Sequence, residues 1–321
     1  MGMADTVTKE YMRSNKVFAD AFNYLIYDGE QVVKPALLQE LDTTEIAIPF
    51  ALGENENQTE DVVQKYRDVL KSAVIMQDSR ASYILLGVEN QTEIHYAMPV
   101  RNIIYDALQY GKQVSEVAKR HKSKGDRKGH NKGEYLSGFY KEDRIRPVIT
   151  LVVHFGADEW DGPLSLYEMM DLEDKKLLEF VQDYRIFLID PYKLANNDLE
   201  KFSTSLGDVL GYIKYSKDKK ALSKFLNDNQ VMIMDNDAAR VIRDVTNTPI
   251  YVPEGKGEID MCKAVRDMID ESKQEGMAAG ELNKAKKMAL KMYKKGDSIE
   301  EIAEMAEVSV DQVKEWINSA V

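Results

Sequence analysis

Two acidic positions that flank an apolar run are where this chain could do chemistry. Asp68 stands near the start of residues 66–96, and Glu89-Asn90-Gln91 closes the run Tyr83-Ile84-Leu85-Leu86-Gly87-Val88. A run that rich in Ile, Leu and Val reads as a buried strand. A carboxylate at its edge is costly unless something binds it, often a metal ion. With Asp68 on a neighbouring strand of the same sheet, both carboxylates reach one point and form a hard-oxygen site suited to Mg²⁺. A plainer account is that the strand simply emerges into solvent, while Asp68 pairs with Arg67 or caps a helix. Spacing alone leaves both open.

A second feature is a local excess of positive charge. The chain carries 43 Lys and Arg against 55 Asp and Glu, a net charge of −12. That argues against nucleic-acid binding by bulk charge but leaves room for a local basic surface. Residues 112–133 hold Lys119, Arg120, Lys122, Lys124, Arg127, Lys128 and Lys132, with His121 and His130, opposed by Glu116 and Asp126. The glycines and the lack of apolar residues from His121 onward suggest a mobile loop. It is either a solvated loop or a phosphate-binding flap, since Lys and Arg on phosphates supply most non-specific DNA affinity.

The elements that must position these groups follow from periodicity. Residues 7–27 suit a helix, with Phe18, Phe22, Leu25 and Ile26 on its apolar face and Asp28-Gly29 as its stop. Asp20 and Asn23 lie close to that face. They either bond neighbouring backbone or, for Asp20, point at the later carboxylates. Residues 35–45 suit a short helical turn and then a strand or loop, and residues 49–59 a loop. Residues 64–75 and 83–88 suit two antiparallel strands joined at Gln77-Asp78-Ser79-Arg80. Met98-Pro99-Val100 starts a helix whose apolar face is Ile103, Ile104, Ala107, Leu108 and Gly111, leaving Arg101, Tyr105, Gln109 and Gln113 for other faces. Its first turn would lie near the carboxylates and favour phosphate. Residues 146–156 form the strongest strand, expected to be central, with His154 near its end as a satisfied core or edge histidine or a ligand. Trp160-Asp161-Gly162-Pro163 is a turn, Ser165 a cap for a helix near Leu166, and residues 184–189 one more strand.

The pattern turns helical after residue 196, over 199–215, 219–226 and 237–245, with a breaker-rich linker at 249–257. Residues 258–321 are helical and charged and end in a pair of helix-turn-helix length. Its second helix sets Lys314 against Asp311 and Glu315, which suits packing or oligomerisation or, alternatively, DNA reading. The expected organisation is a domain over 1–195, a helical connecting region over 196–257 and a helical tail over 258–321. No apolar run of membrane-spanning length occurs, the start has no secretory apolar region, and the single cysteine, Cys262, excludes an internal disulfide framework and a multi-cysteine zinc site. A cytoplasmic location is expected.

Several blocks together resemble a known family. Phe18-Ala19-Asp20-Ala21-Phe22-Asn23, Tyr66-Arg67-Asp68-Val69-Leu70, Gly87-Val88-Glu89-Asn90-Gln91 and Tyr96-Ala97-Met98-Pro99-Val100-Arg101 resemble the bacterial recombination-promoting nuclease/putative transposase family, of the PD-(D/E)xK nuclease superfamily. Leu136-Ser137-Gly138-Phe139, Pro147-Val148-Ile149-Thr150-Leu151, Trp160-Asp161-Gly162-Pro163 and the tail look like its later blocks. The resemblance implies an α/β fold, a mixed α+β sheet flanked by helices with a restriction-endonuclease-like core, plus the helical C-terminal extension. It implies a metal-dependent DNA endonuclease acting in recombination or transposition. Asp68 then matches the strand aspartate, Glu89 the glutamate of an E-x-Q/K motif, Gln91 the third position where much of the superfamily has lysine, and Asp20 the acid of the first helix. Asp68, Glu89 and the Asn90 carbonyl would hold Mg²⁺, with Mn²⁺ or Ca²⁺ as alternatives. DNA would meet Arg101, Lys119, Arg120, Lys122, Lys124, Arg127 and Lys128, and the C-terminal helices could pair two or more copies. The competing function is a catalytically weak DNA-binding or self-assembling protein that keeps the fold.

Overall fold

Two helices open the chain where periodicity suggests one. They are α1 (Met3–Arg13) and α2 (Asn15–Tyr27), parted at Ser14, whose ψ of 123° leaves the helical region. The computed structural model describes residues 2–42, 44–47, 63–66, 68–77, 80–125, 131–172 and 174–319, so the loop expected at 49–59 lies outside the described residues. The break between the helices has a partner in the sheet. Lys71 Nζ donates to the carbonyl of Arg13 and to Asn15 Oδ1, both at 2.5 Å, and lies over the Phe18 ring at 5.0 Å. Helix α2 ends as expected, with Asp28 left-handed at φ 52° and Gly29 at φ 94°.

After a short 3₁₀ turn at Pro35–Leu37 the chain enters strand β1 (Gln39–Glu40). Strands β2 (Thr44–Ala47) and β3 (Val63–Tyr66) form a separate antiparallel pair. The expected hairpin is β4 (Val69–Gln77) with β5 (Arg80–Gln91), in register from Val69 opposite Val88 to Gln77 opposite Arg80. The helix begun at Met98-Pro99 is α3 (Met98–Lys124), which is 27 residues long and ends on Gly125 at φ 62°. Short α4 (Lys132–Ser137) follows, then β6 (Val148–His154) and β7 (Phe187–Ile189). These make a five-stranded mixed sheet of order β1-β4-β5-β6-β7, antiparallel through β5 and parallel from β5 to β7. The strongest strand in the sequence, β6, is enclosed by two parallel neighbours, as its continuous apolar run suggests.

Alternation along β5 assigns its side chains to two faces. Lys71 and its partners place the α1–α2 break on one face. Leu85, Gly87 and Glu89 pair with Val148, Thr150 and Val152 on the other face, which α3 covers. The buried side of α3 differs from the expected apolar side. Asn102, Tyr105, Asp106 and Gln109 are buried, while Ala107 is exposed and Ile103, Ile104 and Leu108 are half-buried. The reason lies in the strands. Thr150 Oγ1 and Tyr184 Oη each donate to Asp106 at 2.6 Å, giving α3 a polar layer to pack on.

The later helices are α5 (Asn196–Leu199), α6 (Leu206–Tyr215), α7 (Lys219–Asn229) and α8 (Asn236–Thr246), with the small hairpin β8 (Ile233–Asp235) and β9 (Glu258–Asp260). Long α9 (Met261–Lys295) and the pair α10 (Ile299–Met305) and α11 (Val310–Asn318) complete the chain. The residues divide into two compact units, Met1–Thr248 with Val252–Met261 and Pro249–Tyr251 with Cys262–Val321. Helices α6 and α8 pack on α2 and α1, so the stretch expected to connect two domains belongs to the sheet-bearing unit. In the second unit the helix pair closes on a core of Ala289, Ile302, Val313, Trp316 and Ile317. Among the described residues no helix is long and apolar enough to cross a membrane.

Lys71 is 1% exposed, and burial holds its ammonium below the ordinary lysine value of 10.5. A basic group whose pKa falls on folding binds fewer protons folded than unfolded, so stability rises with pH from the folded value up to the unfolded one. Lys71→Met should abolish that rise, and Lys71→Ala should destabilise by about 2–4 kcal/mol through the cavity and the orphaned acceptors. Denaturant unfolding between pH 7 and pH 10 checks both.

Candidate functional site

The hairpin register positions the acidic pair. Val69 pairs with Val88 at the end of the ladder, and the bend residue before it, Asp68, falls at the position that continues this register toward Glu89. Directly opposed residues on one sheet face have Cβ atoms about 5 Å apart, and like charges there repel. The protein answers with hydrogen bonds and cations. Asp68 Oδ2 accepts the backbone N–H of Asn90 at 2.9 Å, and Lys9 Nζ on α1 lies 3.7 Å from Asp68 Oδ1. Glu89 is fully buried, and its Oε2 meets Arg101 Nη2 at 2.9 Å. Arg101 in turn donates through Nε to Tyr105 Oη at 3.2 Å, its guanidinium 5.6 Å from that ring's centre.

These environments move the titrations. Burial pushes the Asp68 carboxyl up from its ordinary range, against the Asn90 N–H, Lys9 and Arg101, which hold it down. Burial by itself would depress Arg101, but Glu89 and Tyr105 more than reverse it and leave the guanidinium raised. Gln91 Nε2 donates to the Asn90 carbonyl at 3.0 Å. The Asn90 side chain is buried, and neither its Oδ1 nor its Nδ2 finds a hydrogen-bond partner among the described residues. The same is true of Asn102, one residue after Arg101 on α3. Asp68, Asn90, Gln91 and Arg101 line a cleft of about 290 Å³, together with Asp5 and Thr92.

The donor chemistry fits a hard divalent cation. All candidate ligand atoms are oxygens, and the orphaned Asn90 amide marks a place where a polar group lacks its complement. Among the described residues no three His, Cys, Asp or Glu side chains gather as a metal cluster, so Asp68 and Glu89 stand as a pair. Mg²⁺ is commonly held by one or two carboxylates and otherwise by waters and substrate phosphate.

Asp20 is elsewhere. It accepts from Ser203 N, Ser203 Oγ, Thr204 N and Thr204 Oγ1 at 2.7–3.1 Å, so it braces the turn before α6. The backbone-bonding reading holds for Asp20, and also for Asn23, whose Oδ1 accepts from Val32 and Val33. Lys119, Arg120, Lys122 and Lys124 are not in a loop but on the last turns of α3, where an uninterrupted helix carries them well beyond Arg101. Arg127 and Lys128 lie outside the described residues. His154 is a satisfied core histidine between the carbonyls of Gln91 and Asp158, edge-on to Trp160. Four residues at the site escape sequence reasoning, Asp5, Lys9, Thr92 and Glu93, with Asp5 Oδ1 accepting from Thr92 Oγ1 at 2.7 Å. Their signal is the i, i+4 spacing of Asp5 and Lys9, which becomes visible only once α1 is seen to begin at Met3.

A mixed sheet with an acidic pair near the strand ends, under a helix that supplies the counter-charge, defines an α/β protein with a polar cleft at that end of the hairpin. A family model described as "Putative transposase, YhgA-like" matches residues 50–239, more than half of the chain, and the chain belongs to that family. Membership associates it with transposition or recombination and with DNA as the partner. No curated protein and no solved structure matches it. The matched segment contains Asp68, Glu89, Gln91 and Arg101, whereas Asp5, Lys9 and Asp20 precede it.

Asp20→Ala should remove a charged acceptor from four donors and destabilise the fold by about 3 kcal/mol. Denaturant unfolding of the variant beside the original chain checks this.

Proposed function

We propose that the chain is a metal-dependent DNA endonuclease of the PD-(D/E)xK type, acting in recombination or transposition. The observation that carries the reading is the opposition of Asp68 and buried Glu89 across the hairpin, tied by the Asn90 N–H to Asp68. Asp68, Glu89 and the Asn90 carbonyl would hold Mg²⁺. That ion, when bound, supplies an activated water and offsets charge building on the scissile phosphate.

The remaining work falls to side chains of this chain. Gln91 steadies the Asn90 carbonyl through its amide. It is uncharged, so the cationic role that lysine plays in much of the superfamily passes to other groups. Lys9 beside Asp68 and Arg101 beside Glu89 supply it. A guanidinium presents a planar fork of donors and can take two phosphate oxygens at once. Arg101 therefore neutralises Glu89 before substrate arrives and offers its donors to the phosphate afterwards. The polar face of α3 holds it in place through Tyr105.

The Glu89–Arg101 ion pair also favours a second reading, in which the guanidinium permanently replaces the cation and the protein binds DNA without cutting it. Supercoiled plasmid with Mg²⁺ or Mn²⁺ separates the two. The chain should nick it, and Asp68→Ala or Glu89→Ala should lower the rate by on the order of a hundredfold or more. No nicking with either metal removes the endonuclease reading, and equal nicking by the alanine variants removes the site. Arg101→Gln should raise cation affinity, since a competitor for Glu89 is gone, yet slow nicking. If cation affinity rises and nicking is unchanged, Arg101 does not touch phosphate.

A further inference from the structure

We propose that a groove between α3 and the β4 side of the sheet is a second nucleic-acid contact, binding backbone phosphates away from the acidic pair. Lys112 and Arg120 from α3, with Arg144 and Arg146 from the segment before β6, line a cleft of about 510 Å³ floored by Leu70 and Leu85. Its acidic lining residues are Asp42 and Glu116. Among the described residues none of the four cations has a carboxylate oxygen within ion-pair distance: the two partners given to Arg144 Nη1 are the carbonyls of Lys141 and Asp143, at 2.7 Å, and Arg146 rests on the Tyr83 ring at 5.2 Å. Four cations against two carboxylates in one concavity, in a chain of net −12, mark a place suited to an anion.

The groove is preorganised. Gln113 clamps the Arg146 backbone, accepting its N–H at 2.7 Å and donating to its carbonyl at 3.1 Å. That fixes the base of Arg146 against α3 before any ligand binds. The cations are too spread for one phosphate. Lys112 lies 11 residues beyond Arg101, about 16 Å along the helix and within about 20° of the same side. Arg120 lies about 28 Å along it. Phosphates on one strand of a duplex advance about 3.4 Å per base pair. A duplex laid along α3 with a phosphate at Arg101 would thus cover the groove about five to eight base pairs on, presenting backbone phosphates of one strand or the other. Leu85 and Glu89 share a sheet face, so both sites lie on the side of the sheet that α3 covers. A polyanion of regular charge spacing satisfies both, and a free phosphate satisfies neither fully. This inference rests on the nucleic-acid part of the proposed function and not on cleavage.

The test uses the full chain in EDTA with a fluorescein-labelled 20-base-pair duplex, followed by anisotropy at several salt concentrations. The charge-reversed chain K112E/R144E/R146E should lose at least tenfold in affinity at 0.1 M salt. Its slope of log affinity against log salt should shrink by about 2–3, since each phosphate no longer neutralised removes about 0.9. A control with the same charge change on exposed α7, K219E/K220E/K224E, should lose much less. Thermal melts establish folding, and K112Q/R144Q/R146Q provides a milder version with the same expected direction. Equal loss in the groove and control variants means bulk charge and overturns the proposal. So does unchanged duplex affinity in the groove variants, including the case in which calorimetry shows inorganic phosphate binding that those variants lose. If the original chain binds through the groove but never nicks with metal, the endonuclease reading alone fails. If it nicks while the groove variants bind unchanged, the groove alone fails.

Discussion

Everything near the cleft depends on a fully buried glutamate placed opposite an aspartate across one hairpin. Uncompensated, two carboxylates so placed repel across the ladder and lose their hydration. The register of β4 and β5 forces them together, because shifting it by one residue would turn every side chain of the strand to the other face. The apolar residues of β5 therefore hold the acids in place. The surrounding cations follow from this. Arg101 must come from α3, Lys9 from α1, and the Asn90 N–H must turn toward Asp68.

The polar face of α3 is the second consequence. A helix over a sheet ordinarily buries an apolar stripe. Here it buries Asn102, Tyr105, Asp106 and Gln109, because the sheet offers it Glu89 and Thr150. Asp106 is satisfied by Thr150 and Tyr184, whereas Asn102 keeps an amide without a hydrogen-bond partner among the described residues. Polar layers of this kind specify geometry when all members are satisfied. Where one is left over, as at Asn90 and Asn102, the layer borders the cleft or the residue that guards it.

Much of the core was legible in the residues. The hairpin, the Pro-initiated helix, the β6 run and the paired tail helices follow from alternation, caps and β-branched content. The opposition of Asp68 and Glu89 follows from strand pairing. Four things were not legible. The buried side of α3 is rotated onto Asn102, Tyr105, Asp106 and Gln109 because tertiary partners on β6 and near β7 outweigh its own periodicity. The basic residues 119–124 are helical although little apolar surface marks that stretch, since a helix already begun adds residues cheaply. The role of Asp20 is invisible because its donors, Ser203 and Thr204, lie 183 and 184 residues away. Arg101 reads from the sequence as a contact for DNA, whereas its ion pair with Glu89 needs the third dimension.

The attachments of α1 bear on how the molecule is born. This helix gives the cleft its Asp5 wall and sets Lys9 beside Asp68, yet it packs on α8, and Tyr11 Oη bonds Ser205 Oγ at 2.9 Å. Helix α1 thus waits for nearly the last segment of its unit before it can settle. Contacts so distant in sequence form late. A nascent or truncated chain that ends before α8 carries Asp68, Glu89 and Arg101 but lacks the anchored wall that closes on them. The acidic cleft is assembled only when synthesis of the whole unit is complete.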